Sequence, residues 1–337
     1  MRAARRSAVR EHIGGGCLPV AAAHAPGHRA LGAHGRRHRD QRRGHGPAVH
    51  SGGDPAARYR LRHARRQRPG EVLSVARRAL RRWRDLYQRA RGDPRPHRAH
   101  AGHFDYPVRR AGNRVCIGGG ARLRAAPVEV PADISSAAFF LVGASIADGA
   151  DISLPAVGIN PTRIGVLNIL EAMGADISVT HRRQCGAEPV ADLRVRSAPL
   201  HGIEIPAAQV PLAIDEFPAL FVAAACAEGE TLLRGAEELR VKESDRIAVM
   251  AAGLAQLGVD AEVLPDGIRI QGRGRAPLSG GSVDSHGDHR IAMAFAMAAL
   301  RADAPLLVRD CANVDTSFPG FAALAAGAGL RIEEATG

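Results

Sequence analysis

One arrangement of residues recurs three times: an aspartate, about a dozen small or apolar residues, a polar or Gly-containing turn, and a short β-like run. The copies read DISSAAFFLVGASIADGADISLP (133–155), DEFPALFVAAACAEGETLLRG (215–235) and DHRIAMAFAMAALRADAPLLVRD (288–310). Each apolar run is long enough for a helix buried on all sides, which no chain can leave in water. The opening residues Asp133, Asp215 and Asp288 are 82 and 73 residues apart. A second helix-then-strand unit follows each copy: TRIGVLNILEAMGADISV, SDRIAVMAAGLAQLGVDAEV and SFPGFAALAAGAGLRIEE. In the middle one, Ile247, Met250, Leu254 and Leu257 fall on one helical face. Gly174, Gly258 and Gly327 are expected just past the helix ends, where the chain must turn. EVLPDGIRIQG reads as two alternating strands about a PDG turn. The pattern predicts an α/β chain of three β-α-β-α-β-β repeats, too long in period for a common solenoid, with helices packed together inside sheets in one domain.

Charge divides the chain in two. Residues 1–128 hold 30 arginines against 7 acids, a formal +23, and 11 of the 15 histidines; residues 129–337 hold 16 cations against 27 acids, a formal −11. The first part mixes Arg, His, Gly, Pro and Ala with almost no periodicity. A segment with so little to bury cannot offset its conformational entropy, so 1–127 is expected to be a largely disordered basic segment, with the repeat domain at 128–337. Three origins compete for it: a nucleic-acid-binding arm, an organelle transit peptide, and a GC-rich coding stretch read in the wrong frame. The last gives this residue mixture most directly and is preferred. The GGG triplets at 14–16 and 118–120 lack the Lys and Ser/Thr of a P-loop.

The five cysteines form no C-x-x-C pair, so no metal site is expected, and free thiols suit a reducing cytoplasm. Cys226, in FVAAACA, reads as a core residue. No apolar run is long enough to span a membrane, and no apolar h-region follows the charged start.

Candidate chemistry gathers in two loops. LRVKESDRI (239–247) contains Lys242, the one lysine among 46 basic residues. Ser244 or Asp245 can cap the following helix, which puts Arg246 in its first turn and Lys242 and Glu243 just before it. Helix-start N–H groups with Arg and Lys make an anion site. The competing reading is a solvated loop with a weak Glu243–Arg246 pair, and spacing alone leaves the two level. In SHGDHRIA (285–292), Arg290 opens a nearly all-apolar helix, a place that packing does not explain. His289 is an acid, a base or a bystander. Asp215 can serve as a general base, yet Asp133 and Asp288 hold the same place and Asp is a favoured N-cap, so capping accounts for all three. Ser135 and Ser136 read as helix-start residues; Arg163, in GINPTRIG, either extends the basic surface or, the preferred reading, is solvated.

VKESDR (241–246), GDHRIAMAF (287–295), IDEFPAL (214–220) and TSFPGF (316–321) together resemble the C-terminal half of 3-phosphoshikimate 1-carboxyvinyltransferase, EPSP synthase, over about 128–337. The sister UDP-N-acetylglucosamine 1-carboxyvinyltransferase is the alternative, followed by a non-catalytic remnant whose basic arm contacts nucleic acid. The resemblance implies an inside-out α/β barrel domain of three repeats. It also implies transfer of the enolpyruvyl group of phosphoenolpyruvate to the 5-hydroxyl of 3-phosphoshikimate, with no metal or organic cofactor. The two substrates are then the partners, nucleic acid is not expected as one, and the protein is expected to be a cytoplasmic monomer. By motif, Asp215 resembles the residue that binds and deprotonates the hydroxyl, Lys242 a substrate-phosphate lysine near the reacting groups, and Glu243 the proton donor and acceptor at the methylene carbon. Arg246 and Arg290 resemble phosphoenolpyruvate clamps; Asp288 and His289 share their block. Glu238 and Thr316 stand where some members carry Asn and Lys. The family's first-domain Lys–Ser and Ser–Ser–Gln motifs do not occur in 1–127, which implies impaired activity. Since the repeat domain is itself acidic, local cations rather than bulk field must attract such anions.

Overall fold

In the computed structural model, residues 124–334 are described apart from residue 187, with 8–11, 84–88, 104–105, 108–111, 114–118 and 122 before them. The expectation of disorder across 1–127 therefore falls mostly outside the described residues. The stretches within it form β1 (Ala8–Glu11), β2 (Arg84–Gln88), β3 (Val108–Ala111) and β4 (Arg114–Gly118), the last three as an antiparallel sheet in the order β2-β4-β3.

The repeat region then runs α1 (Ile134–Ile146), β5 (Asp151–Gly158), α2 (Gly165–Ala172), β6 (Asp176–Cys185), β7 (Glu188–Arg196), α3 (Phe217–Ala225), β8 (Glu228–Leu233), α4 (Arg246–Gln256), β9 (Asp260–Leu264), β10 (Gly267–Arg273), β11 (Gly281–Asp284), α5 (His289–Ala298), β12 (Leu306–Arg309), α6 (Asn313–Ser317), α7 (Phe321–Gly327) and β13 (Arg331–Glu334). The three Asp-led apolar segments are α1, α3 and α5. Twelve of the 13 residues of α1 are buried, all nine of α3 and eight of the ten of α5. Burial this complete requires neighbours on every side: α1, α3 and α5 pack against one another and, outward, against strands β5, β7, β10 and β12. The sheets lie around them in the orders β5-β7-β6, β8-β10-β9 and β11-β12-β1-β13. This is the helices-inside, sheets-outside architecture that the repeats imply.

The repeats are less alike than the sequence pattern suggests. In the first two, the leading strand is reduced to isolated parallel bridges, Ala132 to Val157 and Glu204 to Leu232, whereas the third has a full strand, β11, parallel to β12. The first two close with antiparallel pairs, β6–β7 and β9–β10; the latter turns through Pro265 and Asp266, as PDG predicts. No such pair follows β13 among the described residues. There β1 lies parallel between β12 and β13.

Ile247, Met250, Leu254 and Leu257 are fully buried, as their spacing predicts. Beside them, Gly253 lets α4 approach α5: a Cβ there would lie 2.2 Å from the ring of Phe295. Phe321 of α7 packs on Phe139 and Phe140 of α1, with centroids 6.3 and 5.9 Å apart, joining the third repeat to the first. Gly174 and Gly258 have positive φ, but in the third repeat the left-handed glycine is Gly329, because α7 runs on through Gly327. Cys226 is a buried thiol whose pKa burial pushes up to about 12, which makes it inert. No helix among the described residues is long and apolar enough to cross a membrane.

Candidate active site

The start of α3, the 3-10 turn Glu237–Val241 with the loop after it, and the start of α5 converge on Arg246. Asp245 caps α4 by accepting from the Ala248 N–H at 3.1 Å, which fixes Arg246 as the first helical residue. The Arg246 side chain is 1% exposed, so the solvated-loop reading does not hold for it. Its Nε donates to Asp288 Oδ2 at 2.8 Å and its Nη2 to Glu243 Oε2 at 2.5 Å. Nη1 lies 3.6 Å from Asp215 Oδ1 and makes no hydrogen bond among the described residues. A buried guanidinium with a spare donor is costly unless something else engages it.

Asp288 is fully buried. It caps α5 by accepting from the Arg290 N–H at 2.9 Å, and it also accepts from Ser244 Oγ at 3.1 Å. Expected among the substrate contacts, it sits beneath the site with both oxygens engaged, as the counter-ion that fixes Arg246. Burial opposes its ionisation, but the hydrogen bond and charge of Arg246 outweigh that and hold the carboxyl below the usual range.

Asp215 departs from the capping account. Asp133 and Asp288 cap α1 and α5, but the N-cap of α3 is Glu216, and no side chain caps that helix. The Asp215 carboxylate instead lies 3.3 Å from Lys242 Nζ and 3.6 Å from Arg246 Nη1. Burial pushes its pKa up, and the charges of Arg290, Lys242 and Arg246 more than reverse this. Lys242 also donates to Glu238 Oε1 at 2.8 Å, and Arg290 Nη1 donates to the Asp215 carbonyl at 3.0 Å. Seven of the expected site residues, Asp215, Glu238, Lys242, Glu243, Arg246, Asp288 and Arg290, thus form one continuous set of contacts.

His289 and Thr316 join through a cavity of about 550 Å³ that they line with Glu243, His286, Gly287, Asn313 and Ser317. Burial and the Arg290 charge lower the His289 pKa, which favours the neutral ring. Asp215 and Lys242 do not line this cavity.

Three residues missing from the expected set complete the cluster. Glu216 is 2% exposed and accepts from Ser135 Oγ at 2.5 Å. Arg163, expected in solvent, donates to Ser135 Oγ at 2.7 Å and lies 3.9 Å from Glu216 Oε1. The buried carboxylate draws it inward. The signal was available: an acid opening an all-apolar helix is as hard to explain by packing as Arg290.

Half-exposed acids, Glu238 and Glu243, occupy donors of Lys242 and Arg246, while Arg246 Nη1 remains spare. The arrangement suits an incoming carboxylate or phosphate that displaces the two half-exposed acids and finds donors already oriented. Fold and site together define a three-repeat enolpyruvyl-transferase-type domain with a cluster of cations and carboxylates where the repeats meet. The family model for EPSP synthase (3-phosphoshikimate 1-carboxyvinyltransferase) matches residues 102–324, beginning upstream of the change in composition near 128. The chain belongs to the EPSP synthase family.

The 3-phosphoshikimate 1-carboxyvinyltransferase of Alkalilimnicola ehrlichii is 66% identical over 254 residues, covering 73% of this chain and 56% of that protein. The one from Nitrosococcus oceani is 62% identical over 244 residues, covering 71% and 54%. A solved EPSP synthase from Acinetobacter baumannii superposes with a TM-score of 0.71 at 51% identity, over 74% of this chain and 57% of that one. The enolpyruvyl transferase NikO from Streptomyces tendae shares the fold at 19% identity and a TM-score of 0.60, over 76% and 58%. The chain spans about half the length of the curated relatives it matches.

Proposed function

We propose that this domain supplies the Asp215–Lys242–Arg246–Arg290 side of a site for enolpyruvyl transfer from phosphoenolpyruvate to the 5-hydroxyl of 3-phosphoshikimate. The observation that carries the reading is the placement of Asp215: it is relieved of capping and set against Lys242 and the spare Arg246 donor. In the proposed reaction Arg246 and Arg290 hold the carboxylate and phosphate of phosphoenolpyruvate. Glu243 delivers a proton to the methylene carbon, and the hydroxyl oxygen bonds to C2 as Asp215 takes its proton. The tetrahedral adduct then expels phosphate, which carries off the proton taken by Asp215, and returns the methyl proton to Glu243, leaving the enolpyruvyl ether. Lys242 holds the substrate phosphate close by, Glu238, His289 and Thr316 complete the rim, and Asp288 acts through Arg246.

A carboxylate held at low pKa is a weak base. Anions bound to Arg246, Arg290 and Lys242 would cancel the charges that lower it, so substrate binding itself strengthens Asp215 as a base.

Phosphate release from phosphoenolpyruvate, dependent on 3-phosphoshikimate, tests this on the full chain. Impaired turnover is the expected result, because the first-domain Lys–Ser and Ser–Ser–Gln motifs do not occur in 1–127, and transfer to 3-phosphoshikimate rather than to a nucleotide sugar sets it apart from the sister enzyme. Binding of both substrates without phosphate release would reduce the site to an anion-binding one.

A further inference from the structure

We infer that Glu216 is the positioning residue for Arg290, fixing its guanidinium where it meets the phosphorylated acid; this rests on the reading of the site above. Arg290 Nη1 is held from two directions by consecutive residues. The Asp215 carbonyl accepts from it at 3.0 Å, and Glu216 Oε1 lies 3.8 Å away. Glu216 makes no capping bond to its own helix, so its carboxylate does no backbone work. The same Oε1 takes the Ser135 hydroxyl and faces Arg163. One buried carboxylate of the middle repeat thereby links Ser135 and Arg163 of the first to Arg290 of the third.

Stability does not account for such a group. A buried charge network is commonly no more stable than apolar residues of the same volume, and its attested use is to fix a geometry. The geometry fixed here is that of Arg290, at 18% side-chain exposure, whose Nη1 also bonds the carbonyl of the residue proposed as the base. Burial also pushes the Glu216 carboxyl up, against Ser135 and the two arginines.

The test is a double-mutant cycle on the full chain, with phosphoenolpyruvate titrated calorimetrically into wild type, Glu216→Gln, Arg290→Ala and the double variant. Glu216→Gln keeps the shape and removes the charge. It is expected to weaken binding roughly tenfold, the size of coupling seen within one charge network. In the Arg290→Ala background the same change is expected to cost almost nothing. Equal costs in both backgrounds, or unchanged binding in Glu216→Gln, overturn the inference and leave the site reading intact. No binding by wild type overturns the site reading and the inference with it. If Glu216→Gln fails to fold, Glu216→Asp carries the cycle, because the shorter carboxylate withdraws from Arg290; the same two outcomes then decide.

Discussion

Asp215→Asn is expected to lower the rate of phosphate release by about 10²- to 10⁴-fold, the usual contribution of a positioned general base. Binding of phosphoenolpyruvate should survive, since the donors proposed for it come from Arg246 and Arg290. The change removes one charge from a place where three cations meet, and the amide cannot take the hydroxyl proton. If Asp215 were only a helix cap, like Asp133, the amide would cap as well and turnover would hold. The decisive reading is kcat against binding, taken in single-turnover mixing so that product release does not mask the chemical step. Loss of binding with the chemical rate retained would assign Asp215 to positioning alone.

The second large effect concerns Asp288. Asp288→Asn keeps a side chain able to cap α5 but strips the counter-ion from a guanidinium that is 1% exposed. Breaking one partner of a buried pair costs about 3–5 kcal/mol, so denaturant unfolding should show a loss of that order. Its pH dependence is fixed in sign. The Asp288 carboxyl is held below its unfolded value, so its stabilisation is fully present above the ordinary carboxylate pKa and is lost as pH falls from there through the folded pKa. The gap between wild type and variant should therefore be widest near neutrality and close in acid. Glu216 works in the opposite sense. Its carboxyl is raised, so its contribution declines as pH rises from the ordinary to the raised value. A gap that stayed constant from neutral to acid pH would mean that the Asp288 charge is not what holds Arg246.

The fold was legible because its signals are local. Three all-apolar helices opening on Asp133, Asp215 and Asp288 permit little except mutual packing, and α1, α3 and α5 do pack together. The C-terminal glycine of the third repeat was misplaced because AAGAGL (325–330) offers two glycines, Gly327 and Gly329, and only backbone geometry selects between them. The site was half legible. LRVKESDRI and SHGDHRIA announce themselves by charges at helix starts. What sequence spacing could not supply is partnership across repeats. Three aspartates in equivalent places looked interchangeable, yet the Asp215 carboxylate faces Lys242 instead of its own helix. Arg163 looked solvated because its partner carboxylate, Glu216, lies 53 residues further on. The sequence held another acid at that helix start, but its burial became visible only with Ser135 and Arg290 around it.

Lys242 offers the most direct test of the central claim, that this cluster is a site for phosphorylated acids. It is the only lysine in the chain, so lysine labelled with ¹³C at Cε and incorporated biosynthetically reports on one position. Titration with phosphoenolpyruvate and 3-phosphoshikimate is expected to move that signal saturably, as Lys242 leaves Glu238 for a substrate anion. A Cε signal that stays in place while both substrates are added would contradict the account.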